Sequence, residues 1–343
     1  MDSLQIGLLL AGGFTLLVVL GYNQWVSRKS APRQAQAPAA AGDAPIEPGS
    51  DVPLEPVLDD DFAGLPQPER KPVLDALIDV IATVEVDHPV SGDAALAALP
   101  ATRRVGTKPF HVEGCSELSG EWEPLAPGRR YSAFQAGVQL ANRMGALNEI
   151  EFSEFVVKAQ AFADAVGGTP SFSDMLEEVA RARELDQFAS AHDAQLGFTL
   201  VASAAAWSPG YIQQHAARLG FVAGVMPGRL VLPAAVQGLP PVLSLTFDTQ
   251  AALAEDPALT AVRECVLSLD VPQVAREEQP FERLCQAAQW LAEQMDGVVT
   301  DGGGQPLAGE VLQQIGQDLQ QLYDALDERE LSAGSPQARR LFS

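Results

Sequence analysis

Cysteine, histidine and basic residues are all scarce in this 343-residue chain, and each scarcity closes off a class of function. The three cysteines, Cys115, Cys265 and Cys285, are odd in number and lack a CxxC spacing. They do not make a disulfide framework and fit buried thiols in a reducing compartment. The four histidines, His88, His111, His192 and His215, have no cysteine or carboxylate at a spacing that predicts a triad or a metal site. His111 and Cys115 stand close in sequence, but two ligands do not make a site. Only 22 Lys and Arg stand against 45 Asp and Glu, for a net charge of −23, which argues against nucleic acid or a long anionic surface as partner. Carboxylate pairs are too common in so acidic a chain to carry information. The glycine-rich run from Asp301 to Gly304 lacks the Lys and Ser/Thr of a phosphate loop and reads as a tight turn. No catalytic constellation emerges, and neither a cofactor nor a metal is expected.

What is present begins with an uncharged stretch over 4–26, LQIGLLLAGGFTLLVVLGYNQWV, which as a helix spans about 34 Å, enough to cross a bilayer. Tyr22 and Trp25 lie where interfacial aromatics belong, while only Asp2 precedes the run and Arg28, Lys29 and Arg33 follow it. That asymmetry speaks against a cleaved signal peptide and puts the N-terminus outside and the remainder in the cytoplasm. The sequence thus predicts a membrane anchor over 1–27. A linker follows over 28–73, rich in proline, alanine and acid, with the cluster Asp59, Asp60 and Asp61. It reads as a disordered tether.

Beyond the linker the sequence repeats itself. The helix-like FSEFVVKAQAFADAVGG from Phe152 aligns with FERLCQAAQWLAEQMDG from Phe281, so that Ala159 and Gln160 meet Ala288 and Gln289 and Gly168 meets Gly297. Upstream, Val138 and Leu140 fall on Leu267 and Leu269, and, allowing a loop-length change, LIDVIATVEVDHPVSG falls on QLGFTLVASAAAWSPG. The first unit, 74–190, is predicted to have strands over 77–86, 105–112, 120–124 and 131–141, a short helix from 91, and helices over 151–166 and 171–189. In its first strand Ile78, Val80, Ala82, Val84 and Val86 point one way, with Asp79, Thr83 and Glu85 outward. The second unit, 195–331, is predicted to have strands over 197–203, 230–232, 242–247, 262–269 and 298–299, with helices over 209–219, 280–295 and 307–326. Alternating strands and amphipathic helices imply an α+β fold, an antiparallel sheet with helices on one face and the other face open. The tail, 332–343, reads as frayed. A basic cluster of Arg103, Arg104 and Lys108, with Arg129 and Arg130 nearby, is either a contact for an acidic peptide or a solvated loop face.

In the second unit, LGFTLVASAAAWSPGYIQQHAARLGFVAGVM, PPVLSLTF, LSLDVP and LCQAAQWLAEQMDGVVTDGGGQPL resemble, in order and spacing, the C-terminal domain of the ZipA family of bacterial division proteins. The likeness covers about 196–326. Its most specific parts are the helix through Ala288, Gln289, Leu291, Ala292 and Glu293 and the strand Gly297, Val298 and Val299. The anchor and proline-rich linker match the family's layout. The resemblance implies a six-stranded sheet backed by three helices, whose open face binds the C-terminal tail of FtsZ and so holds FtsZ filaments at the membrane during septum formation. Carried over position by position, it puts Thr199, Val201, Met226, Thr246, Val266 and Ser268 on the binding face. Thr199, Thr246 and Ser268 are more polar than the family's groove. Three apolar anchors at about 1.5–3 kcal/mol each, less association costs, imply micromolar affinity.

Two tandem related units are unusual for that family. The first unit reads either as a degenerate copy that packs on the second or as another docking face, and its polar outward residues favour packing. Other readings of the whole chain are a tethered peptide-binding module for another envelope process, or an enzyme using a cleft between the units.

Overall fold

Apolar residues at every second position from Ile78 onward bury one side of a strand, and in the computed structural model, which describes residues 32–35, 73–256 and 258–343, Ile78, Val80, Ala82 and Val84 are all shut off from solvent. The expected anchor over 4–26 and nearly all of the 28–73 linker lie outside the described residues. Among the described residues, no helix is long and apolar enough to cross a membrane. The chain forms two compact units, one holding 73–191 with 340–343 and the other 32–35 with 192–339.

The first unit runs β1 (Asp79–Ser91), α1 (Gly92–Ala97), β2 (Arg104–Val105), β3 (Lys108–Ser116), β4 (Trp122–Pro124), β5 (Arg130–Gln139), β6 (Ala141–Asn142), β7 (Gly145–Ala146), α2 (Glu149–Val166), β8 (Gly168–Ser171) and α3 (Met175–His192). Its main sheet has the order β2-β3-β5-β1-β8, with β4 also on β3, and every pairing is antiparallel. Helix α2 starts at a capping box: the Asn148 side chain accepts from the Glu151 backbone and the Glu151 side chain accepts from that of Asn148. It stops at Gly167, whose φ of +71° suits glycine. Behind the sheet, Phe134 meets Phe162 edge-on at 5.4 Å and Tyr131 at 5.8 Å.

The basic cluster disperses. Lys108 is 1% exposed, its ammonium 3.0 Å from Glu151, whereas Arg129 pairs with Glu123 and Arg130 with Glu117. Arg104 donates to the Thr107 carbonyl. Lys108 is therefore closed to an acidic peptide, and Arg129 and Arg130 already hold carboxylates of their own. Removing the ammonium with Lys108→Ala strands the Glu151 carboxylate, and urea unfolding should show a loss of about 3 kcal/mol. A loss below about 0.5 kcal/mol would mean that water reaches Glu151.

Two expectations for this unit are overturned. Asp79 lies on the outward side of β1 but is not open to solvent: it is 1% exposed, because Arg340 grips both its oxygens at 2.6 and 2.8 Å. Nor does the tail fray, since a helix over Pro336–Leu341 ends in a buried Leu341 and Phe342. Burial still pushes the Asp79 carboxyl above its usual value, with Arg340 opposing the shift.

Nearby His111 is held below its ordinary 6.5, first by burial and then by Arg340 and Arg103, while Asp79 and Glu113 oppose this. The unfolded chain therefore takes up this proton near pH 6.5 and the folded chain only at lower pH. His111 thus withdraws stability as pH falls through 6.5, until its folded pKa is reached. Asp79, raised in the folded state, acts in the opposite sense, adding stability as pH falls from its folded pKa towards 3.8. The urea midpoint of this unit should drop between about pH 7 and pH 5.5, and His111→Gln should flatten that drop. Equal slopes in both proteins would contradict the assignment.

The second unit runs β9 (Gln195–Ala202), α4 (Pro209–Arg218), β10 (Val222–Ala223), β11 (Arg229–Leu232), β12 (Leu243–Thr246), α5 (Thr249–Ala252), β13 (Glu264–Asp270), α6 (Pro280–Met295), β14 (Gly297–Thr300) and α7 (Gly309–Glu328), and the helix over Pro336–Leu341, α8, begins within it. Its sheet is also six-stranded and antiparallel, in the order β10-β11-β12-β13-β9-β14. One side is a core of Phe198, Leu200, Leu245, Leu267 and Leu269 beneath Leu284, Ala288, Leu291 and Met295 of α6. The α+β architecture expected from the sequence is therefore what the chain adopts.

Residues 32–35, read as part of the tether, are held by this unit. Arg33 bridges Trp207 through its backbone, and its guanidinium reaches the Met295 carbonyl at 3.1 Å and Asp296 at 2.6 Å. Those acceptors close the last turn of α6, where a helix attracts positive charge.

Candidate peptide-binding face

Because opposite residues in an antiparallel pair share a face, the strand registers define the open side of the second sheet. Thr199 lies across from Val266, Val266 from Thr246, and Thr246 from Arg229. One step along, Gly197, Ser268, Ser244, Val231 and Val222 form a second row across five strands. Val201 lies between Glu264 and Val298. The residues between these positions, from Leu230 to Phe198, are buried beneath the helices. At about 4.8 Å per strand the second row is roughly 19 Å across, enough for several residues of an extended peptide.

Five of the six positions expected from sequence are thereby brought together: Thr199, Val201, Thr246, Val266 and Ser268, each half-buried. Met226 stands apart in the turn between β10 and β11, 57% exposed, its carbonyl accepting from the Arg229 amide. Alternation in Arg229–Leu232 also puts Arg229 and Val231 on the open side. The same signal was present in the sequence, since Leu230 and Leu232 had to face the core.

The face is less polar than its residue types suggest. The Thr246 hydroxyl donates to the Val266 carbonyl at 3.4 Å, that of Ser268 to the Ser244 carbonyl at 3.4 Å, and that of Thr300 to the Thr199 carbonyl at 3.2 Å. Donors spent on the sheet's own backbone no longer demand water or a ligand. Arg229 donates to Ser244 Oγ at 3.0 Å, while its buried Nε has no partner. It gives one end of the face a cation in an otherwise acidic chain.

Elsewhere in this unit a groove of about 580 Å³ runs between α6 and α7, lined by Phe281, Cys285, Leu312, Gly316 and several glutamines. Burial pushes the Cys285 thiol up to about 11 and that of Cys265 up to about 12, so neither is a thiolate at neutral pH. The Asp301 carbonyl accepts from the Gly304 amide in the turn expected there. Among the described residues, no three His, Cys, Asp or Glu side chains are grouped to hold a metal.

Residues 255–318 match the family described as ZipA, C-terminal FtsZ-binding domain. The match takes in β13, α6, β14 and the first half of α7, narrower than the stretch over which the sequence resembles that domain. The resemblance to ZipA read from the sequence therefore holds in the second unit. No curated protein matches the chain.

Proposed function

We propose that this chain is a division scaffold whose second unit binds the C-terminal tail of FtsZ, and that an anchor over 4–26 holds FtsZ filaments at the bacterial inner membrane during septum assembly. The observation that carries the reading is the family match over 255–318, because β13, which supplies Val266 and Ser268 at the middle of the open face, lies within it. An open face that carries Val201, Val222, Val231 and Val266 beside hydroxyls spent on the sheet's own carbonyls suits a short extended peptide, and repeated tails along a filament would offset micromolar affinity by avidity. A binding role, not catalysis, is the activity proposed.

The two units are proposed to be tandem copies of one fold. Supporting this, Asp79, Ile81 and Thr83 pair with Gln139, Gly137 and Gln135, just as Gly197, Thr199 and Val201 pair with Ser268, Val266 and Glu264.

Reconstituting the full chain in vesicles and adding FtsZ with GTP tests the tether. Polymers should gather on these vesicles and not on bare ones, and FtsZ lacking its tail should stay in solution. Recruitment of tail-less FtsZ, or no recruitment, would count against the reading; binding of some other envelope peptide instead would make the chain a module for another process.

A further inference from the structure

The open side of the first sheet carries the same rows as the second, but it is occupied. Arg340 crosses the row of Asp79 and Gln139: its guanidinium is held by both Asp79 oxygens at 2.6 and 2.8 Å and donates to the Val73 carbonyl at 2.6 Å. Its own carbonyl accepts from Gln139 Nε2 at 2.8 Å. The next row, Ile81, Gly137 and His111, is covered by Leu74, whose Cδ2 would lie 2.5 Å from a Cβ placed on Gly137. In the third row Glu113 accepts from the Leu74 amide at 3.1 Å and from Gln135 at 2.7 Å. Beyond Arg340, the Ser343 carbonyl accepts from the Arg143 amide at 3.4 Å, and Leu341 and Phe342 are buried.

These contacts have the form of peptide recognition. A two-pronged arginine–carboxylate pair on a fully buried acid selects for arginine over lysine, a backbone carbonyl is held by a side-chain amide, and two apolar residues follow. The invariance of the frame matters too: Asp79 and Gln139 stand where Gly197 and Ser268 stand on the other sheet, so the occupied positions are those left open there. We propose that the first unit is itself a peptide-binding module, that its ligand class is a short segment with an arginine followed by two apolar residues, and that Arg340–Ser343 fills it in cis. This holds whichever partner the second unit takes.

The test uses the chain truncated after Arg339 and a fluorescein-labelled peptide of residues 336–343. Saturable binding in the micromolar range is expected for the truncated protein and at least about a hundredfold weaker binding for the intact chain, whose site is filled. A peptide carrying Arg340→Ala should bind at least about tenfold more weakly. A truncated protein that still unfolds cooperatively yet binds no peptide, or binds the Arg340→Ala peptide equally well, would overturn the proposal. Hydrogen exchange on the intact chain decides the matter without truncation. The amides of 340–343 should be protected at least about tenfold relative to the free peptide, and less so with Asp79→Asn. Exchange at the free-peptide rate would equally overturn it.

Discussion

Truncating Trp207 to alanine is expected to cost the second unit about 3–5 kcal/mol, against a total stability for a typical domain of about 5–15 kcal/mol. The side chain is fully buried. Its Nε1 donates to the Met295 carbonyl at 2.8 Å, and its ring sits close enough to Gly297 that a Cβ there would lie 3.0 Å from it. Its backbone exchanges two hydrogen bonds of 2.8 Å with Val262. The residue therefore joins the end of α6, the start of β14 and the segment before β13. Trp207→Phe keeps most of the volume and loses only the donor, so it should cost about 1–2 kcal/mol. Urea unfolding followed by circular dichroism checks both, and a loss below about 1 kcal/mol for the alanine variant would show that the site is not a keystone of the unit.

Val266→Glu is expected to weaken binding of the FtsZ tail by at least about thirtyfold while leaving stability within about 0.5 kcal/mol. Val266 is half-buried and lies between Thr199 and Thr246. A carboxylate there removes an apolar contact and must be dehydrated when a peptide settles over it. Thr83→Glu supplies the comparison: Thr83 is exposed on the first sheet, so the same change of charge there should leave tail binding alone. Equal weakening by both substitutions would mean that net charge, and not the face, governs affinity.

Much of this architecture was legible because burial on one side of a sheet writes itself into alternation. Phe198, Leu200 and Ala202, Leu243 and Leu245, and Cys265, Leu267 and Leu269 are all apolar at every second position and all buried, so the strands and their open sides could be read together. Helices α2 and α6 announced themselves by apolar residues three and four apart. GTPS has no alternation to read, so the sequence starts the following helix at 171 where the structure has strand β8, Gly168–Ser171. The helix in fact starts at Met175. The short β10, Val222–Ala223, has only two residues and so too few to show alternation.

The larger misses depend on partners far away in sequence. Asp79 in an apolar alternation looks like a solvent-facing residue until Arg340, 261 positions on, supplies its counter-ion. The end of the tail looks frayed for the same reason, as Arg340 meets Asp79 and Gln139, 261 and 201 positions earlier. Lys108 reads from sequence as one of several loop cations, yet it is buried and paired with Glu151. Arg33 sits in a composition that predicts a free tether, and the backbone beside Trp207 together with the end of α6 gives it a fixed place. Local pattern reports which side of an element is apolar, not which charge will be brought to meet it.

The most direct measurement is fluorescence anisotropy of a labelled FtsZ C-terminal tail from the same organism, titrated with the full chain in nanodiscs. The account predicts saturable binding in the micromolar range that Val266→Glu removes and Thr83→Glu preserves. A folded chain that leaves the tail unbound, or binding indifferent to Val266→Glu, would contradict the assignment of the second sheet's open face as the FtsZ site.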